Sequence, residues 1–142
     1  MNDERYFLDT NILVYAYDSS AGNKYEIARK IVMNLWDSGY GSISTQVLQE
    51  FIVTVTRKIS HPISLSDVRR IAADLLCWEV VVNDGESCVE ALDLVSRNKI
   101  SYWNALIITA AQRSNATTLL SEDLSHNNRY QSILVQNPFA TS

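Results

Sequence analysis

Short apolar runs alternate with longer segments of helical period along this sequence, and that alternation restricts the folds open to it more than any other feature. The candidate strands are Tyr6-Phe7-Leu8, Tyr40 to Ile43, Val80-Val81-Val82, Thr117 to Leu120 and Ile133-Leu134-Val135. Between them, Ile27, Ala28, Ile31, Val32, Leu35 and Trp36 recur at helical spacing until Gly39 stops the pattern. Ser44 or Thr45 can cap a helix whose apolar positions run from Val47 to Ile59, ahead of His61-Pro62. Ser64 to Asp67 has the form of a capping box, Asn83 and Glu86 offer a second one, and Tyr102 to Arg113 reads as a helix that is apolar almost all round. Short strands separated by helices build an open, mostly parallel α/β sheet with helices on both faces.

Composition supports one self-sufficient domain over residues 1–142, since 46% of the residues are hydrophobic, 20% are charged, and only 4 Gly and 2 Pro occur. Collagen-like, disordered and disulfide-scaffold classes are excluded. Twelve Lys and Arg face 16 Asp and Glu, a net charge of -4, so no general basic field attracts nucleic acid. An anionic substrate must be met by a local patch or by bound cations. Cys77 and Cys88 form no staple framework and no secretory leader opens the sequence, so a cytoplasmic chain with reduced thiols is expected. The most apolar stretch, Tyr102 to Ala111, is too short to span a bilayer, so no membrane is expected.

In open parallel sheets ligands bind at the carboxyl ends of the strands, where polar residues carry the most information. Asp9 follows the first strand and sits between two apolar segments, where it either caps the next helix or serves a buried site. Glu50, early in the helix after Ser44, lies at the edge of an apolar arc and is a solvated residue or a site acid on the same sheet edge. Asn104 is a polar group in an apolar helix, serving its first turn or a ligand. Asp123 follows the Thr117 to Leu120 strand, as an Asx turn or a site acid. Three acids and an amide on one edge repel unless a cation sits among them. Their oxygen atoms suit Mg2+ or Mn2+ rather than zinc, and His61 and His126 lie outside the pattern. Metal-assisted hydrolysis of a phosphodiester is the chemistry such a set serves best.

Four segments in order, Phe7 to Asp18, Ser44 to Phe51, Ser101 to Ile107 and Leu119 to Leu124, resemble the PIN-domain family and, within it, the VapC-type toxins of toxin–antitoxin pairs. The resemblance implies an Mg2+- or Mn2+-dependent endoribonuclease acting on RNA, a homodimer, and inhibition by a cognate antitoxin protein. It places the family's acids on Asp9, Glu50 and Asp123, with Ser121 supporting the site and Thr10, Asn11 and Ser44 around it. Asn104 departs from the family pattern, which has an aspartate there, and implies a weakened activity. A PIN-like domain that binds RNA or a partner protein without cutting is the alternative. A phosphoacceptor domain is a weaker third reading, because no lysine follows either of the last two strands. Lys24, Arg29, Lys30, Arg57, Lys58, Arg69, Arg70, Arg97 and Lys99 are the candidate RNA contacts, and Trp36, Tyr40 and Trp78 the candidate interface aromatics.

Overall fold

The computed structural model describes residues 4–140. Strand β1 (Tyr6–Leu8) lies inside a six-stranded sheet that also contains β2 (Gly41–Ser44), β3 (Glu79–Val81), β4 (Thr118–Leu120), β5 (Arg129–Tyr130) and β6 (Ile133–Gln136). The order is β3-β2-β1-β4-β6-β5, parallel throughout except for β5, which runs antiparallel to β6 at the edge. Phe7, Leu8, Ile43, Leu119 and Ile133 are fully or almost fully buried in the sheet, as strands covered on both sides require.

Six helices connect and cover it: α1 (Thr10–Tyr15), α2 (Asn23–Ser38), α3 (Thr45–Arg57), α4 (Leu65–Leu75), α5 (Gly85–Arg97) and α6 (Tyr102–Arg113). The strand order steps one way from β1 to β3 and back the other way to β4, so right-handed crossovers put α1 to α4 on one face and α5 and α6 on the other. Packing follows that division, with α1 against α2 and α3, α3 against α4, and α5 against α6. Residues Ala105 to Ala111 of α6 are all buried, as the nearly continuous apolar sequence demands. Gly39 ends α2 with φ 78°, a left-handed conformation that suits glycine.

Several local expectations are corrected. Helix α3 ends at Arg57, short of Pro62, and the chain folds back so that the Ile63 amide donates to the Val55 carbonyl. The cap of α5 is Asp84, reciprocated by Ser87, rather than Asn83 with Glu86. Val82 lies beyond β3 and is 67% exposed, because β3 is a sheet edge rather than a central strand. Leu65 and Leu76 are exposed at the two ends of α4 although both are apolar, because the buried stripe of the helix runs through Val68 and Leu75. Trp78 is buried rather than available to a partner. Its ring meets Trp36 edge to face at 5.4 Å and lies over Gly41, where a Cβ would come within 2.7 Å of it. Gly41→Ala must therefore displace the indole and is expected to lower stability by about 1–3 kcal/mol. Urea unfolding of this variant against the parent checks it, and an unchanged midpoint would show that the ring moves freely.

Candidate active site

Register brings the site together before any side chain is considered. Leu8 pairs with Leu120 across β1 and β4, so Asp9 and Ser121, each one residue further on, stand side by side at the carboxyl end of the sheet. The Ser121 hydroxyl donates to Asp9 Oδ2 at 2.8 Å, and the Thr10 amide donates to Oδ1 at 2.7 Å. Asp9 thus does cap α1, and it also faces a hollow of about 300 Å³ lined by Thr10, Asn11, Glu50, Asn104 and Asp123.

The other members arrive from separate elements. Ser44 caps α3 through the Val47 amide, and the helix carries Glu50 outward from that end, where its Oε1 accepts from the Thr10 hydroxyl at 2.7 Å. Asp123 follows β4, its amide bonded to the Ser121 hydroxyl and its carboxylate receiving the Asn11 side-chain amide at 3.3 Å. Asn104 sits in the first turn of α6, where Ser101 already caps the helix by accepting the Asn104 backbone amide. The Asn104 side chain is therefore not consumed by capping and lines the hollow. Ser44 and Ser121 do not line the hollow and act from behind it, Ser44 through the helix it caps and Ser121 through its hydrogen bonds to Asp9 and to the Asp123 amide.

Next to Asp123, Glu122 accepts from Tyr15 at 2.5 Å and pairs with Lys24 at 2.8 Å. Lys24 also lies over the rings of Tyr15 and Phe139, so the segment carrying Asp123 is pinned to α1, α2 and the chain after β6.

Asp9 is 5% exposed, and its carboxyl is pushed up from 3.8 to about 6. Burial is the main cause, opposed by the Ser121 and Thr10 hydrogen bonds and reinforced by the charges of Asp123 and Glu50. Among the described residues no Lys, Arg or His pairs with Asp9. Sequence reasoning missed Gln46, which is buried, lines the same hollow and has a side-chain oxygen without a hydrogen-bond partner. Its spacing of one helical turn before Glu50 was the available signal.

All the donors are hard oxygens, the set that suits Mg2+ or Mn2+. Among the described residues no three His, Cys, Asp or Glu are gathered tightly enough to form a ready cage. Mg2+ does not need one, because it keeps several waters and takes only one or two carboxylates. The residues present fit the ion.

No curated protein matches the sequence. The structure is similar to a toxin–antitoxin complex from Klebsiella pneumoniae, with a TM-score of 0.69 at 15% identity over 96% of this chain and 99% of that one. It is also similar to VapC20 of Mycobacterium tuberculosis, a sarcin–ricin loop cleaving toxin, with a TM-score of 0.59 at 16% identity over 80% of this chain and 86% of that one. A third likeness is to VapBC2 from Rickettsia felis bound to a promoter DNA fragment, with a TM-score of 0.60 at 22% identity over 93% and 97% of the two chains. These likenesses concern the fold. The sequence model of the PIN domain matches residues 6–130, which carry five of the six strands, all six helices and every acid of the hollow, and the chain belongs to the PIN-domain family.

Proposed function

We propose that this chain is an Mg2+- or Mn2+-dependent endoribonuclease of the VapC toxin type, hydrolysing RNA phosphodiesters and weakened by Asn104. The observation that carries the reading is Asp9, a buried carboxyl flanked by two further acids and held by neutral donors only. Such a group is costly to ionise unless a cation is supplied from outside the chain.

Asp9, Glu50, Asp123 and the Asn104 amide would hold the ion. When bound, the ion supplies Lewis acidity that favours ionisation of an attacking water and offsets charge on the scissile phosphate. The chain's own contribution is orientation. Ser121 and the Thr10 amide fix both oxygens of Asp9, Thr10 also fixes Glu50, and Asn11 fixes Asp123. Asn104 provides an oxygen but neither a charge nor a proton-accepting carboxylate.

Calorimetric titration with Mn2+ is expected to show binding that weakens at least tenfold in Asp9→Asn and again in Asp123→Asn. Unchanged affinity in both variants would reject the site. Asn104 is the observation that favours a second reading, a PIN domain that holds RNA or a partner protein without cutting.

Several fold relatives are toxin–antitoxin complexes, which supports a cognate antitoxin as the protein partner. We assign the chain to the cytoplasm on its reduced thiols, and no helix among the described residues is long and apolar enough to cross a membrane. A homodimer is supported by exposed apolar side chains, among them Met33, Leu65, Leu76, Val82, Val89 and Leu92. Light scattering at micromolar concentration should then report about twice the 16.0 kDa chain mass. A monomer would contradict the dimer and leave the active site untouched.

A further inference from the structure

The acidic hollow is the middle of three. Glu50 and Thr54 join it to a second hollow of about 300 Å³ that reaches Lys58, at the end of α3. On the opposite side Asn104 and Asp123 join it to a larger one of about 540 Å³, lined by Ser125, Asn128, Lys99 and Arg129. The outer ends therefore carry cations and the centre carries acids. Among the described residues Lys58, Lys99 and Arg129 have no carboxylate partner, whereas Lys24, Arg70 and Arg113 are ion-paired. In a chain of net charge -4, three unpaired cations along one joined groove are a local arrangement for a polyanion. Trp103 stands at the central hollow with 63% of its surface exposed, an unusual position for an indole unless its face serves a ligand.

We propose that a single RNA strand crosses the molecule along these three hollows. Its scissile phosphate lies at the acids, flanking phosphates lie on Lys58 at one end and on Lys99 and Arg129 at the other, and one base stacks on Trp103. This path rests on the ribonuclease reading but predicts binding independently of cleavage. A continuous acidic protein segment is the competing occupant, and it makes no demand on Trp103.

The test is fluorescence anisotropy of a short labelled single-stranded RNA on the full chain, with metal chelated so that nothing is cut, over a series of salt concentrations. Each phosphate contact contributes about 0.7 to the slope of log affinity against log salt. Lys99→Gln with Arg129→Gln is expected to lower that slope by about 1.4, and Lys58→Gln by about 0.7. Trp103→Ala should weaken binding on the order of tenfold at an unchanged slope, because it removes stacking and no charge. Lys30 and Arg69, which the sequence offered as RNA contacts, line none of the three hollows, so Lys30→Gln with Arg69→Gln, the same charge change at exposed positions on α2 and α4, should change little. Equal effects in this control pair, an unchanged slope in the Lys99 and Arg129 pair, or no binding by the parent would overturn the path. An unchanged affinity in Trp103→Ala would remove the stacking step. Cleavage without these slopes defeats the path alone, and these slopes without cleavage defeat the nuclease alone.

Discussion

Asp9→Asn is expected to stabilise the metal-free protein at pH 7 by up to about 3 kcal/mol while leaving it nearly unchanged at pH 3. The folded carboxyl sits at about 6 against 3.8 when free, so folding takes up a proton between those values. For an acid raised in this way, stability is fullest below about pH 4, falls as pH rises through the window from about 4 to about 6, and stays low above it. The asparagine carries no charge to desolvate. Its oxygen can still accept the Thr10 amide, and its NH2 can donate to the Ser121 hydroxyl oxygen, which already accepts from the Asp123 amide. A gain of about 3 kcal/mol corresponds to a rise in Tm on the order of 10 °C for a chain of this length. Urea unfolding of both proteins in chelator from pH 3 to pH 8 measures it, and the difference between the curves cancels the other carboxylates. A variant that is less stable at pH 7 would show that Asp9 is satisfied as a charge. A residue that costs the fold stability is the usual sign of a group kept for function rather than for folding.

Asn104→Asp is expected to raise Mn2+-dependent RNA cleavage on the order of a hundredfold. At an effective dielectric of about 20, one charge about 4 Å from a divalent cation gains roughly 8 kcal/mol of raw attraction, most of it offset by desolvation and by repulsion among the acids. A remainder of about 3 kcal/mol in the transition state gives the hundredfold change. The structure lowers the cost of the exchange. Position 104 is in the first turn of α6, where the helix dipole favours an anion, and its side chain makes no hydrogen bond that the acid would lose. Expression of the variant without an antitoxin should also slow growth, which a plate assay reads directly.

Much of this architecture is legible in the residues. Tyr6 to Leu8, Thr118 to Leu120 and the Ala105 to Ala111 run are apolar but for Thr109 and Thr118, and such segments have nowhere to go but a covered sheet or the layer packed on it. Asp9 and Asp123 are legible for the complementary reason, as acids just past buried strands. Glu50 was ambiguous because it is exposed, and only the Thr10 hydroxyl, forty residues away in sequence, ties it to the site. Strand β5 has two residues, too few for any period, so the hairpin with β6 that carries Arg129 to the hollow lined by Lys99 is announced by no local pattern. Val82 misled because β-branched residues look alike at a sheet edge and in its middle, where only the neighbouring strand differs. Gln46 was overlooked because a glutamine early in a helix is ordinary until its oxygen is found buried and alone.

The central claim, that the acids around Asp9 form a metal-dependent ribonuclease site, is tested most directly by single-turnover cleavage of one labelled RNA in Mn2+ by three proteins. The account predicts slow cleavage by the parent, a rate about a hundredfold higher for Asn104→Asp, and silence when Asn104→Asp is combined with Asp9→Asn or when Mn2+ is chelated. Cleavage by Asn104→Asp no faster than by the parent, or cleavage that persists without Asp9 or without metal, would contradict it.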